Sequence, residues 1–313
     1  MKRYRLYIII IQLLISHCIW AKDTWNNAVF QSVMPIENKA YRLRLINGDI
    51  YTGISLGKGI DALRENGSIE EAIVIKTLSN IDTIYADDIA EISALEDAYR
   101  FDSQLFLMPT ANPIKSNHSL QITELCFAQA HIGWDRFSVI AGASLIPGIT
   151  WQEQIKLLNV KATLYQENNV NMPGRYAFAT GINLGFANNN NAIQHVYAVG
   201  SFTMERTTLT TTAFYKVGVS DLYEAKASSF GSTIISMPNG TLGLGLGFDT
   251  RLSDRHETRA IAELWCLDIL KPRNSAAFIG IRLHSSVYAA DFGISLFSAP
   301  FIIPACSFKW MPF

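Results

Sequence analysis

The sequence predicts an all-β chain: a transmembrane antiparallel β-barrel of about twelve strands, preceded by a small β-barrel. Three observations carry this reading. The first is Gly240 to Phe248, GTLGLGLGF, followed by Asp249, Thr250 and Arg251. Leu242, Leu244, Leu246 and Phe248 take one side of an extended strand, while Gly243, Gly245, Gly247, Asp249 and Arg251 take the other, because strand side chains alternate with a period of two. Secondly, similar segments fill the chain from Gln104 onward without a helical pattern, so the apolar face needs lipid rather than a second protein layer. Thirdly, the chain is 49% hydrophobic and 17% charged, yet holds no apolar run of the ~20 residues that a spanning helix requires.

The N-terminus carries Lys2, Arg3 and Arg5 ahead of the apolar run Tyr7 to Ile15, with Ala21 as a small residue for cleavage. This is the layout of a signal peptide over residues 1–21, and the run is too short for a membrane anchor. A lipid anchor on Cys18 would need a small residue directly before it, where His17 stands. With Cys18 removed, Cys126, Cys266 and Cys306 form an odd, widely spaced set without CxxC, which signals neither a disulfide framework nor a metal site. Each is expected as a small apolar side chain on a strand.

Residues 22–39 have no clear period and read as a lead-in. Tyr41 to Ile46 alternates, Asn47-Gly48 supplies a type I′ turn, and Asp49 to Ser55 returns as the second arm of a hairpin. A loop is expected from Gly57 to Gly67. A second hairpin follows, Ala72 to Leu78 and Ile81 to Tyr85 around Ser79-Asn80, and Asp87 to Ile92 feeds a last short strand. Five short strands within residues 40–95 suggest a small closed barrel. The pattern YRLRLINGDIYTG with Gly53, then a hairpin and a terminal IAEI strand, resembles Sm-like and other SH3-like barrels. That resemblance implies RNA binding in some members, but residues 22–103 hold 8 Lys and Arg against 14 Asp and Glu, the wrong sign for phosphate. A periplasmic protein partner is expected instead, with no nucleic acid. Asp87-Asp88 reads as a pair of solvated turn formers rather than a cation site.

The barrel is expected over residues 104–313, with strands near 104–110, 118–132, 137–146, 154–166, 175–187, 193–205, 207–219, 240–252, 256–268, 275–284, 287–297 and 301–312. An even count lets both termini end in the periplasm. If the first strand rises from there, the periplasmic turns are Gly133 to Arg136, Glu167 to Gly174, Glu205-Arg206, Ser253 to Arg255 and Ser285-Ser286, four of them tight. Outside then lie Asn188 to Ala192, Asp268 to Asn274 and the longest connection, Asp221 to Asn239, as short periplasmic turns and long external loops require. Trp134, Tyr176, Tyr288 and Trp310 gather at periplasmic strand ends and Trp151 at an external one, as in aromatic girdles. The terminal Phe313 on a last strand resembles the assembly signal of Gram-negative outer-membrane proteins, although Pro312 interrupts it. With RFDSQLFLMPTANPI and the strands after it, the chain resembles uncharacterised barrel proteins of Bacteroidetes-type bacteria, a resemblance that implies no activity.

The inward set on these strands includes Lys161, Lys216, Asp249, Arg251, Arg259, Glu263, Arg282, His284 and Asp291. Mixed charges in a barrel line a water-filled path or pair into a plug, and twelve strands lie between packed and open sizes. Residues 104–313 hold 15 basic and 13 acidic side chains, which predicts little ion preference. A hydrolase needs a nucleophile, a base and an orienting group in reach, but His118, His131, His195, His256 and His284 are scattered and no GxSxG appears. Asn188 to Asn191 reads as a loop tip rather than a calcium or sugar site. The expectation is a non-enzymatic outer-membrane protein without cofactor or metal. It is either a narrow passive channel or envelope component with a periplasmic interaction domain, or a closed-lumen surface interaction or structural protein, with a barrel hydrolase as the least favoured alternative.

Overall fold

The computed structural model describes residues 37, 40–64, 67, 69–77, 80–94, 100–114, 118–124, 126–169, 174–186, 192–204, 206–218, 221–226, 232–252, 258–272, 275–285, 287–297 and 301–311. The expected signal peptide, most of the lead-in, Leu78-Ser79, Asn188 to Asn191, His256 and the Pro312-Phe313 terminus lie outside these residues.

The first unit is an antiparallel sheet of five strands, β1 (Ala40–Leu45), β2 (Ile50–Leu63), β3 (Ile69–Lys76), β4 (Ile81–Tyr85) and β5 (Ile89–Ala94), in the order β4-β3-β2-β1-β5. Tyr41, Leu43, Ile73, Ile75, Ile84 and Ile92 form its core, as the alternation in these strands requires. The turn between β1 and β2 differs from the expected type I′. Only Gly48 has a positive φ, +92°, and Gly48 N–H donates to Leu45 C=O at 2.9 Å. This is a three-residue loop, a type I turn followed by a left-handed glycine. The expected loop from Gly57 is mostly strand: β2 runs on to Leu63, with register shifts between Ser55 and Gly57 and between Gly57 and Ile60. Bulges insert unpaired residues without ending a strand. Gly53 has its own cause, because a Cβ there would meet the Ile75 side chain and the Lys76 carbonyl across the ladder.

The second unit is a closed antiparallel barrel of twelve strands. In chain order they are β6 (His118–Thr123), β7 (Phe127–Trp134), β8 (Phe137–Ser144), β9 (Lys156–Asn169), β10 (Gly174–Phe186), β11 (Ala192–Met204), β12 (Thr207–Val217), β15 (Leu242–Arg251), β16 (Thr258–Cys266), β17 (Ser275–His284), β18 (Tyr288–Phe297) and β19 (Phe301–Trp310). Between β12 and β15 a separate hairpin forms from β13 (Leu222–Lys226) and β14 (Ser232–Ser236). The ring closes where β19 pairs with β6, through Ser307 to Trp310 against Leu120 to Thr123.

Twelve strands were expected, but membership differs at two places. Residues 104–110 are not a wall strand. From Phe101 to Ile114 nearly every side chain is buried with no alternation, and only an isolated bridge joins Gln104 to Pro109. An apolar run interrupted by Pro109, which lacks the N–H a ladder needs, packs inside the barrel instead. The expected strand 118–132 is two strands, because the chain turns at Glu124, φ +52°, and Cys126 N–H donates to Thr123 C=O at 3.3 Å. The two differences cancel in parity, so the expected short turns still share one end. That turn end holds the β7–β8, β9–β10, β11–β12, β15–β16 and β17–β18 connections; the loop end holds the rest, including 218–241. The connection at 167–174, long for the turn end, shortens because Glu167, Asn168 and Asn169 pair with Tyr176, Arg175 and Gly174.

The outer wall is apolar and the inner wall polar. In β15 Leu242, Leu244, Leu246 and Phe248 are exposed, while Gly243, Gly245, Gly247, Asp249 and Arg251 are buried. The same alternation exposes Phe178 and Ile182 on β10, Ile279, Ile281 and Leu283 on β17, and Phe292 and Ile294 on β18. Trp134, Tyr176 and Trp310 stand exposed at the turn end, where Tyr288 pairs with Trp310. Trp151 is exposed at the loop end, with the Lys156 ammonium 5.1 Å from its ring centroid.

Candidate functional site

The interior of the barrel is occupied by residues 101–114, here called the plug. A chain crossing a lumen must satisfy its main-chain groups there, since an unpaired buried amide is costly. Wall side chains on β9, β11, β16, β17 and β19 do this. Lys161 on β9 is buried and its Nζ donates to the carbonyl oxygens of Ser103 (3.2 Å), Thr110 (2.8 Å) and Asn112 (2.6 Å). Two residues on, Thr163 donates to Ala111 C=O at 2.9 Å, and Ser201 on β11 accepts the Ala111 N–H at 2.9 Å.

At the tip of the plug, Glu263 Oε1 on β16 accepts the N–H groups of Leu107 (2.9 Å) and Met108 (3.0 Å), while its Oε2 accepts Trp265 Nε1–H at 3.0 Å. The Leu107 side chain itself is exposed. At the base, Arg175 Nη2 on β10 pairs with Asp102 at 2.7 Å, and the Thr110 hydroxyl donates to Asp102 C=O.

Arg282 and Asp291 stand directly opposite each other on β17 and β18. The guanidinium binds the carboxylate with two bonds, Nε to Oδ1 at 2.6 Å and Nη2 to Oδ2 at 2.9 Å, the bidentate geometry of a strong ion pair. Ser307 donates to the same carboxylate at 2.8 Å. The remaining Arg282 donors reach the plug carbonyls of Phe101, Gln104 and Leu105, at 2.9 to 3.3 Å. Lys309 Nζ adds longer bonds to Gln104 and Leu105 C=O, 3.4 and 3.3 Å. A second pair, Arg259 to Asp249 at 2.5 Å, lies beside it, with Asp249 also 3.8 Å from Arg282.

Apolar sockets complete the fit. Leu105, Phe106 and Met108 pack with Ile261, Phe278 and Ala305, and the Phe106 and Phe278 rings stack at 4.1 Å. A Cβ on Gly245 would meet Met108 Cε, and one on Gly247 would meet Leu105 Cδ1 and Met108 Sδ. The alternate glycines of β15 therefore make room for the plug, while Gly243 makes room for the Phe214 ring of the neighbouring strand. Ala111 joins a second cluster with Ala177, Ala179, Tyr197, Val199, Phe214 and Met237. Met237 comes from the long 218–241 connection, where Met237 N–H donates to Asp221 C=O at 2.8 Å and Met237 Sδ lies 3.1 Å from His195 Nε2.

Of the nine residues expected to face inward, Lys161, Lys216, Asp249, Arg251, Arg259, Glu263, Arg282 and Asp291 are buried in the barrel, and His284 is half-buried at the turn end. A small cavity with room for about one water lies there among Phe101, Asp102, Asp249, Arg259, Arg282 and His284. Sequence reasoning missed Arg175, Ser201, Lys309 and the plug itself. Pro109 and the lack of alternation in RFDSQLFLMPTANPI argue against a wall strand, but they carry no sign of where the run packs. Among the histidines, His131 is 3.2 Å from Gln129 Oε1, His195 meets Met237 and the edge of Phe214, and His284 lies 6.3 Å from the Phe101 ring. Cys126, Cys266 and Cys306 are free thiols, partly buried. Among the described residues, no group of three or more His, Cys, Asp or Glu is placed to hold a metal ion. No family model matches the chain, and no curated protein matches it.

Proposed function

We propose that this chain is a non-enzymatic outer-membrane β-barrel of a Gram-negative envelope, closed at rest by its own residues 101–114. In this reading the turn end faces the periplasm, and the acidic five-stranded sheet works there as a module for a protein partner. The observation that carries the proposal is the pairing of an apolar outer wall with a charged, occupied interior. A closed barrel leaves no strand edge unpaired and so can stand in hydrocarbon, where Leu244, Leu246, Ile279, Ile281 and Phe292 find the solvent they need. The resemblances to Bacteroidetes-type barrel proteins and to Sm-like small barrels agree with it.

Closure at rest follows from the contacts of Lys161, Glu263 and Arg282 with the plug, and it favours the envelope reading over a constitutively open pore. The first experiment is fractionation followed by electrophoresis with and without boiling in detergent. The band is expected in the outer-membrane fraction, with a mobility that changes on heating, because closed ladders resist detergent. A soluble protein without a shift would sink the membrane reading. Planar-bilayer recording comes second: unaltered protein gives little conductance, and steady open-pore currents would overturn closure.

A further inference from the structure

We infer that the barrel lumen is a binding site for the main chain of a polypeptide that folds back on itself, with residues 101–112, turned at Leu105 to Met108, as its tethered occupant. The inference rests on the proposed reading of a barrel closed by its own segment. It adds the chemical class that the site accepts.

The wall reads the plug mainly through backbone. Lys161, Thr163, Arg282 and Lys309 donate to its carbonyls, while Glu263 and Ser201 accept its N–H groups. Donors and acceptors are thus both supplied, as a peptide main chain demands, since each residue presents one of each. An inorganic ion presents one sign only. A sugar offers hydroxyls that do not need separate cationic and anionic partners. By contrast, one ion pair, Arg175 to Asp102, reads a charged plug side chain among the described contacts.

Contacts of this kind are tolerant of sequence. Selectivity comes from the sockets over Gly245 and Gly247, which receive Leu105 and Met108, and from Phe278, which stacks on Phe106. The expected ligand is a segment of roughly the plug's length that turns back on itself, with large apolar side chains at the turn, as in Leu105 to Met108. The plug is covalently attached and competes at an effective concentration of order millimolar, so a free peptide enters only when the plug is weakened.

The test uses the full chain carrying Leu105→Ala, Phe106→Ala and Met108→Ala, which removes plug side chains and leaves every wall donor and acceptor in place. Arg175→Ala with Phe106→Ala provides a second loosened form should the first not fold. Folding is read by the heat-dependent mobility shift. The probes are two fluorescent synthetic peptides, one with the sequence of residues 100–114 and one with that sequence reordered except at the three apolar positions. Both are expected to bind the loosened form at least tenfold more tightly than the unaltered protein. Adding Lys161→Met and Glu263→Gln should reverse the gain. A loosened barrel that shifts on heating yet gains no peptide binding overturns the inference and leaves the membrane reading standing. Binding of the native-order peptide alone overturns main-chain recognition. An unaltered protein with no heat shift overturns the membrane reading, and this inference with it.

Discussion

Glu263 and Leu107, 156 residues apart in the chain, are joined by a hydrogen bond of 2.9 Å from the Leu107 N–H to Glu263 Oε1. The same oxygen takes the Met108 N–H at 3.0 Å, so one buried carboxylate holds the tip of the plug. Hydrogen bonds to charged groups contribute about 1.5–3 kcal/mol each. Glu263→Gln keeps the shape and removes the charge. Amide exchange in a peptide spanning 104–110 should then accelerate at least tenfold, with the heat-dependent mobility shift retained. Unchanged exchange there would mean that packing, rather than Glu263, holds the tip.

Gly247 gives a test from the neighbouring strand, where it pairs directly with Glu263. A Cβ at this position would meet Leu105 and Met108, while the outward Leu246 and Phe248 are untouched. Gly247→Val should therefore displace the plug without opening the ring. The expected result is a barrel that still shifts on heating and whose 101–114 segment becomes sensitive to added protease. The control is Gly185→Val, where the nearest atom to a new Cβ is 3.8 Å away; it should leave the plug protected.

How far the sequence foretells this arrangement depends on which physical signal each part leaves behind. Alternation is local, so β10, β15, β17 and β18 are legible from Phe178, Leu244, Ile281 and Phe292 alone. The inward charges are legible for the same reason, because Asp249, Arg282 and Asp291 fall on the opposite parity. What fills the space between them is a long-range matter. Residues 104–110 look like a strand because Leu105, Phe106, Leu107 and Met108 are apolar, and nothing local says whether such a run meets lipid, a sheet or a lumen. The split at Glu124 is hidden differently, since Thr123-Glu124-Leu125-Cys126 lacks the Gly, Pro or Asn that marks most turns. The glycines of β15 were visible, but their cause was not: Gly245 and Gly247 accommodate side chains more than a hundred residues earlier.

Arg282 and Asp291 form a pair whose members should not be equal to their removal together. Both are about 1% exposed, and breaking a buried pair by deleting one partner costs about 3–5 kcal/mol, because the other charge is left uncompensated. Arg282→Met should lower the temperature of the mobility shift strongly. Arg282→Met with Asp291→Leu should recover much of that loss, since two apolar groups leave no stranded carboxylate. Equal losses in the single and double variants would mean that the plug carbonyls, not Asp291, are the partners that matter for Arg282.

The seam between β19 and β6 is the place where closure itself can be tested. Among the described residues its ladder runs from Ser307 to Trp310, with a further bond from Glu124 N–H to Cys306 C=O at 2.8 Å, whereas β10 and β11 pair from Gly174 through Phe186. Phe308 lies directly opposite Ile122 on the outer face, and opposed residues of an antiparallel pair sit roughly 4.5–5.5 Å apart, within disulfide range. In a background with Cys126, Cys266 and Cys306 replaced by serine, Ile122→Cys with Phe308→Cys should crosslink under mild oxidation. The covalent ring would then keep a fast-migrating form after boiling, and reductant would restore the normal shift. Ile122→Cys with Ile302→Cys offers the mismatched control, because Ile302 pairs with Leu296 on the far part of the strand. Crosslinking of the mismatched pair, or none in the matched pair, would show that the last strand does not close on the first, and a barrel that does not close there could not leave its edges unpaired in a membrane.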